Sequence, residues 1–228
     1  MHPNLRHVVT LLLRQKLDAL MSRPPNGKND DKWEIVGEPT EYVYTITTNR
    51  AFTALMEAAR VDALEDVLNY SSTQARMTTP TGQTALMIAA EAGNFNSARV
   101  LLPLEKGMQT NDGRTALMHA AAAGSISLTK LLIPHEAKIT SERDGHTALM
   151  EAAREGHCGV VEILLQHEVG MRQYMGLTAL IYAIHEGHSE CVAALAEAES
   201  HLCSYDGKSP VVHALDAGNK YLLPYLKI

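Results

Sequence analysis

The chain has few aromatic, cysteine and cationic residues, and each shortage narrows what it can be. Aromatic residues make up only 5% of the 228 residues, with one Trp and two Phe. The core must therefore be built from Ala, Leu, Val, Ile and Met, a composition that favours helices over sheets. Lys and Arg (20) are outnumbered by Asp and Glu (26), for a net charge of −6. This diffuse acidity argues against nucleic-acid binding, which needs clustered cations.

Membrane spans and a disulfide framework are also not expected. No apolar run approaches the ~20 residues that a membrane-spanning helix needs. The three cysteines are Cys158, Cys191 and Cys203. An odd and sparse set favours a reducing compartment over a set of disulfides. We therefore expect a cytoplasmic protein whose cysteines are free.

A short segment, Thr-Ala-Leu-Met or a close variant of it, recurs along most of the chain. Each copy begins with a Thr or Ser, at Thr53, Thr84, Thr115, Thr147, Thr178 and Ser209. Successive copies begin 31, 31, 32, 31 and 31 residues apart. Six copies at nearly constant spacing indicate a repeat architecture rather than a single packed domain.

Glycines at two fixed places in the repeat indicate where turns interrupt helices. The first precedes the Thr or Ser by two residues, at Gly82, Gly113, Gly145, Gly176 and Gly207. The second follows it by nine, at Gly93, Gly124, Gly156, Gly187 and Gly218. Glycine tolerates the positive φ of tight turns and helix C-termini, and the Thr hydroxyl can cap the helix between them. Each unit is therefore predicted to be a turn, a short helix, a loop and a longer helix.

With these features in place, the units resemble ankyrin repeats. The best match runs from Asp144 to Leu165 and includes the Gly156-His157 pair. The resemblance implies an all-α ankyrin-repeat solenoid of about six helix–turn–helix units over residues 49–228. The predicted units are 49–80, 81–111, 112–143, 144–174, 175–205 and 206–228.

The repeat departs from the family pattern at the start of the short helix. The usual Pro is Ala in five units and survives only as Pro210. The usual His is replaced by Met56, Met87, Met118 and Met150. Because Met offers dispersion and adaptable packing rather than hydrogen bonds, we expect the units to stack through a more apolar contact.

Residues 1–48 are predicted to form a short helical and β-hairpin extension. Apolar residues between Leu5 and Met21 follow helical spacing. Residues 22–32 are predicted to form a loop, and 33–36 and 42–46 two short strands that would pair as a hairpin. The helix is interpreted as a cap on the first repeat, with a partner-binding or dimerising helix as the alternative.

No catalytic, cofactor or metal site is predicted. His185, His188 and Cys191 are three residues apart and come nearest to a ligand cluster, but His188 occupies the Gly-His position that the repeat itself explains. Cys158 begins a long helix, where a thiolate is favoured, yet other residue types fill that position in the other units. The chain has neither a phosphate-binding Gly-rich loop nor a Gly-x-Ser-x-Gly motif.

The variable positions of the unit are the candidates for partner binding. Counted from the Thr or Ser, these are positions −1, +4 and +7, which the family's geometry places on the hairpin tips and the concave face. The candidate residues are Gln83, Ile88, Arg114, His119, His146, Glu151, Arg154, Leu177, Tyr182 and His185. Aromatic and apolar members are favoured as anchors, and the arginines can pair with acids of a partner.

The sequence thus predicts a non-catalytic scaffold or adaptor that binds another protein and neither nucleic acid nor membrane. Two alternatives stay open. Arrays with this Thr-Ala-Leu-Met pattern are similar to those attached to NIMA-related protein kinases, so the array would be the regulatory or targeting segment of a larger enzyme. The last unit stops inside its second helix at Ile228, which would also suit a structural array that self-associates through its C-terminal face.

Overall fold

The computed structural model describes residues 52–226, and every regular element in that range is helical. The prediction of an all-α repeat array is confirmed for this part of the chain. The helix and hairpin predicted within residues 1–48 lie outside the described residues.

Short and long helices alternate along the array, as the repeat predicts. The short helices are α1 (Ala54–Arg60), α3 (Ala85–Glu91), α5 (Ala116–Ala122), α7 (Ala148–Glu155), α9 (Ala179–Glu186) and α11 (Pro210–Asp216). The long helices are α2 (Leu64–Gln74), α4 (Phe95–Glu105), α6 (Ile126–Glu136), α8 (Cys158–Glu168) and α10 (Ser189–Glu199). In the last unit a 3₁₀ helix, Lys220–Tyr225, takes the place of the long helix. Short helices pack on short ones and long helices on long ones, which makes two layers.

The start of five of the six described short helices is held by the predicted cap, and Thr178 is the exception because its buried hydroxyl has no hydrogen-bond partner. The Thr hydroxyl accepts a hydrogen bond from the backbone N–H three residues on, with O···N distances of 3.2 Å at Thr53 and 3.4 Å at Thr84. In these two units the backbone N–H of the Thr also points at the Met sulfur, 3.4 Å away. The Met therefore fills the place of the reciprocal acceptor in a capping box. Both sets of glycines have positive φ, between 70° and 86°.

The core of the array is a column of Leu, Met and Ala side chains from the short helices. The four Met residues that replace the usual His are each 1% exposed, and the Leu before each of them is equally buried. These Met side chains therefore pack in the apolar core, and the expectation that they make the stacking of units more apolar stays a prediction. Alanine pairs such as Ala120–Ala121, both fully buried, allow the backbones of neighbouring short helices to approach closely.

A buried glutamate, which the sequence analysis missed, ties the two helices of a unit together. It is the last residue of four long helices: Glu105, Glu136, Glu168 and Glu199. Glu136 is typical, since it accepts hydrogen bonds from Leu117 N (2.8 Å) in its own unit and Gly107 N (2.9 Å) in the preceding one. Burial raises the pKa of both Glu136 and Glu168. A Glu recurring 21 residues after the Thr was the signal in the sequence.

Candidate protein-binding surface

The variable positions −1, +4 and +7 lie beside one another in the structure, and we call this row the inner strip. Because neighbouring short helices pack side by side, position −1 of one unit meets position +4 of the next. Arg114 Nη2 lies 3.3 Å from Glu151 Oε1, and His146 Nε2 lies 2.7 Å from the hydroxyl of Tyr182. Four of the residues selected from sequence alone, Arg114, His146, Glu151 and Tyr182, are thus brought together by the stacking of the repeats.

A buried carboxylate, Glu151, is the centre of the strip. It is 3% exposed, and it faces Arg154 Nη2 at 2.6 Å, Arg114 Nη2 at 3.3 Å and His146 Nδ1 at 3.6 Å. Burial acts to raise the pKa of Glu151, but the adjacent His146 side chain and the charges of the two arginines outweigh it and hold the pKa below its ordinary value. An ionised Glu151 therefore holds both guanidinium groups in place.

This arrangement extends across three units without a break. Arg114 belongs to unit 112–143, Glu151 and His146 to unit 144–174, and Tyr182 to unit 175–205. The His146 and Tyr182 rings meet edge to face, with their centroids 4.8 Å apart. This is one of the arrangements that aromatic rings prefer. Fixed side chains lose little conformational freedom when a partner binds, which is the benefit of preorganisation.

A polar pocket of about 280 Å³ opens beside the central carboxylate. We call it the arginine pocket, and its lining residues are Asp112, Arg114, Ser141, Arg143, Asp144, His146, Glu151 and Arg154. Four of the predicted partner-binding residues, namely Arg114, His146, Glu151 and Arg154, line it. Arg143 and the two aspartates come from the hairpin tips and were not among the predicted residues.

The other predicted residues lie elsewhere along the strip. Ile88 and His119 are buried, so their side chains pack within the array. Gln83 Nε2 donates to Glu91 of its own unit at 3.3 Å. Leu177 is partly exposed, near the tip of its hairpin. The partner-binding role of all ten residues stays a prediction.

The last predicted residue, His185, belongs to a chain of polar contacts at the far end of the strip. His185 Nε2 lies 3.1 Å from His213 Nδ1, and His213 Nε2 lies 2.9 Å from Ser204 Oγ. Burial lowers the pKa of His213, and the neighbouring His185 lowers it further. Burial also lowers the pKa of His185 itself. Both rings are therefore favoured in their neutral forms at neutral pH.

The hairpin tips form a second surface next to the strip. Successive tips are joined by backbone hydrogen bonds, from Tyr174 N to Asp144 O (3.0 Å) and from Tyr205 N to Met175 O (3.1 Å). Tyr174, Met175 and Tyr205 are 63%, 71% and 67% exposed, and we call these three side chains the tip patch. The sequence analysis missed them because they precede the glycine of the turn, outside the positions it compared.

The expectation of free cysteines is wrong for two of the three. Cys158 and Cys191 form a disulfide between α8 and α10, with their Cα atoms 4.9 Å apart, and Cys203 is free. The two cysteines are 33 residues apart, which is close to one repeat period, so stacking places them side by side. Counting cysteines without the period could not show this. The disulfide also occupies Cys191 of the suspected ligand trio, while His188 Nε2 bonds to Arg154 O at 3.0 Å.

Within residues 52–226, no helix is both long and apolar enough to span a bilayer.

Comparisons with known proteins agree with the repeat architecture. The family model described as ankyrin repeats (3 copies) matches residues 55–143 and 103–175, and the model for a single ankyrin repeat matches residues 175–207. An ankyrin repeat domain from Acinetobacter baumannii AYE, solved by crystallography, is 30% identical, with a TM-score of 0.64. The match covers 75% of this chain and 94% of that one. A search of curated proteins finds no match.

These descriptions name ankyrin repeats and mention no kinase. The matched residues run from 55 to 207, which is more than half of the chain. The chain therefore belongs to the ankyrin repeat family.

Proposed function

We propose that this protein is a non-catalytic scaffold or adaptor that binds a protein partner through the inner strip and the hairpin tips. Ankyrin repeats are protein-interaction modules in general, which supports the class of function. The choice of surface is supported by the contacts of the variable residues.

The observation that carries the proposal is the continuity of the inner strip across three units. The positions of the repeat that stay constant form the core and the turns. The −1, +4 and +7 positions differ between units, and their side chains contact one another along the strip. Around Glu151 they form a fixed polar centre, with the half-buried ring of Tyr182 beside it. Aromatic and Arg side chains are enriched at the centre of protein interfaces, and the strip presents both.

The test is affinity capture with a paired set of variants. The strip variant carries Tyr182→Ala and His185→Ala, and the control carries Tyr70→Ala and Arg99→Ala on the long helices α2 and α4. Tyr70 and Arg99 are exposed, so their truncation leaves the core intact. We expect the strip variant to lose partners that the native chain and the control variant both retain. Retention of every partner by a folded strip variant would contradict the proposed surface.

Self-association is a second candidate, because the last described unit carries exposed apolar side chains. Val212 and Leu215 of α11 and Tyr225 of the 3₁₀ helix are all exposed. Such side chains favour contact with another apolar surface. Light scattering over a hundredfold range of concentration tests this candidate, and a constant monomer mass excludes it.

A cytoplasmic location is proposed from the small number of cysteines, and the Cys158–Cys191 disulfide argues against it, since disulfides are rare in that compartment. Alkylation of free thiols in intact cells, followed by peptide mass analysis, shows whether Cys158 and Cys191 are reduced or disulfide-bonded in the cell. Alkylated Cys158 and Cys191 would support the cytoplasm, and an intact disulfide would contradict it.

A further inference from the structure

We propose that the arginine pocket binds the carboxylate of an Asp or Glu side chain in an extended partner segment, whose neighbouring apolar side chain packs on the tip patch. This inference rests on the proposed function, because it names the chemistry of the partner at the same surface.

The carboxylates of the pocket already have partners within the chain. Asp112 accepts a hydrogen bond from the hydroxyl of Thr110, and Asp144 accepts one from the hydroxyl of Ser141. Both bonds belong to the turns of their own hairpin tips. Glu151 is held by the two arginines and His146, as described above. Glu151 Oε2 accepts no hydrogen bond of good geometry, but it is ion-paired with Arg154 Nη2 at 2.6 Å, so each of the three carboxylates has a partner within the chain.

The guanidinium groups, in contrast, have donors to spare. Arg114 Nε is buried without a hydrogen-bond partner. Arg143 is exposed, and among the described residues no carboxylate lies within 4.0 Å of its side-chain nitrogens. Unsatisfied buried donors are costly, and a guanidinium group binds a planar carboxylate through paired hydrogen bonds. Arg114 Nε and the Arg143 guanidinium group therefore lack acceptors among the described residues, and a carboxylate supplies two.

The net formal charge of the pocket favours neither an acidic nor a basic ligand. The choice of ligand therefore depends on which hydrogen-bonding groups lack partners. Three arginines line the pocket against three carboxylates, and their charges balance. A Lys or Arg of a partner would bring only more donors to arginines that already lack acceptors. The free volume of about 280 Å³ is enough for one acidic side chain and part of its neighbours.

The tip patch begins where the arginine pocket ends. Tyr174 donates its backbone N–H to Asp144, a residue of the pocket wall, and its ring packs on Gly145. At the far side of the patch, the guanidinium group of Arg172 lies 5.7 Å from the centre of the Tyr205 ring. Exposed apolar side chains at adjacent positions mark binding surfaces. A partner whose acidic residue enters the pocket would place its adjacent side chain on this patch.

The experiment selects random peptides displayed on phage against the full chain and measures the selected peptides by fluorescence anisotropy. We expect selected peptides to carry Asp or Glu next to an apolar residue. Changing that acid to its amide should weaken binding about tenfold or more, because a charged hydrogen-bond pair is lost. The unmodified selected peptide should lose the same affinity when it is measured on the Arg143→Gln variant. The control variant Arg99→Gln, on the long helix α4, should bind the peptide as the native chain does.

The double change separates this inference from a general effect on folding. On Arg143→Gln the acid-to-amide change in the peptide should have little further effect, since the two groups would contact each other. Peptides without an acidic residue, or an affinity insensitive to Arg143→Gln, overturn the inference and leave the proposed function standing. A library that yields no binder to the folded chain contradicts the proposed function and the inference together.

Discussion

The first described unit and the units behind it share one plan but differ in how firmly it is held. In α2 the buried residue is Val67, and Leu64 and Leu68 are exposed. In α6 the corresponding face buries Leu128 and Leu132 together with polar side chains. The long helix of the first described unit therefore buries fewer apolar side chains than the long helix of unit 112–143. In a repeat array each unit depends on its neighbours for burial.

Residue replacements in the first unit keep the contacts while changing the chemistry. Gln74 occupies the place of the buried glutamate and accepts from Leu55 N at 2.9 Å. Asp62 stands where later units have glycine, with φ of 55°. Its carboxylate accepts hydrogen bonds from Ser97 N (3.1 Å) and Ser97 Oγ (2.6 Å) of the following unit. The comparison shows that the repeat constrains hydrogen-bond roles more strongly than residue identity.

The largest expected effect comes from removing the disulfide, which joins units 144–174 and 175–205. The first two units are linked instead by the Asp62–Ser97 bonds. Replacing Cys158 and Cys191 by Ser should lower the free energy of unfolding by about 3–4 kcal/mol, because a closed loop of this length restricts the unfolded chain. Urea unfolding with and without a reductant measures it. Cys203→Ser is the control, and an equal loss there would contradict the assignment.

Substituting the buried glutamate in a later unit, and its counterpart Gln74 in the first, tests how firmly each unit is held. Glu136→Ala should cost about 2–3 kcal/mol, since it leaves the buried N–H of Leu117 without an acceptor and removes the partly buried hydrogen bond from Gly107 N. Gln74→Ala should cost about 1 kcal/mol, because a neutral hydrogen bond in a partly buried site is lost. Both are measured as the change in unfolding free energy in urea. Equal losses at the two sites would show that the first unit is held as firmly as the third.

Two glycines with the same φ of 77° separate backbone strain from crowding. A Cβ on Gly93 would meet nothing within 4 Å, whereas one on Gly156 would lie 2.7 Å from His188 Nδ1. Gly93→Ala should cost about 1 kcal/mol from strain alone. Gly156→Ala should cost about 1 kcal/mol more, because His188 must give up its bond to Arg154 O. Thermal unfolding compares them, and identical melting temperatures would contradict the crowding effect.

The smallest effect is a dependence on pH that the first unit lacks at the same position, where it carries Glu57. Burial lowers the pKa of His119 below its ordinary value of 6.5, and the charge of Arg114 lowers it further. The unfolded chain therefore binds more protons near pH 6, so stability should fall as the pH drops through 6.5. His119→Gln should flatten the fall, and exposed His201→Gln should leave it unchanged. A fall unaffected by His119→Gln would assign it to other groups.

The repeat was predictable because its signals are local and recur. Gly113 and Gly145 mark turns, and Thr115 marks a helix start, whatever the units pack against. Burial along the inner strip was less predictable. A Glu such as Glu151 is expected at the surface, and it is buried here because Arg114 of the preceding unit and Arg154 form ion pairs with it. The tip patch was missed because Tyr174 precedes the turn and is exposed only by the way the tips stack.

By itself the sequence determined the period, the helix starts and ends, the turns and the apolar core, because each depends on residues close together in the chain. Only the tertiary structure decided that Cys158 meets Cys191, that a glutamate closes each of four units, and that three arginines share one pocket. These contacts join residues from different helices or different units of the array, 33 positions apart in the case of the two cysteines, and they form only once the helices and units are packed together. Partner chemistry, if it is acidic and apolar as we propose, belongs to that second group.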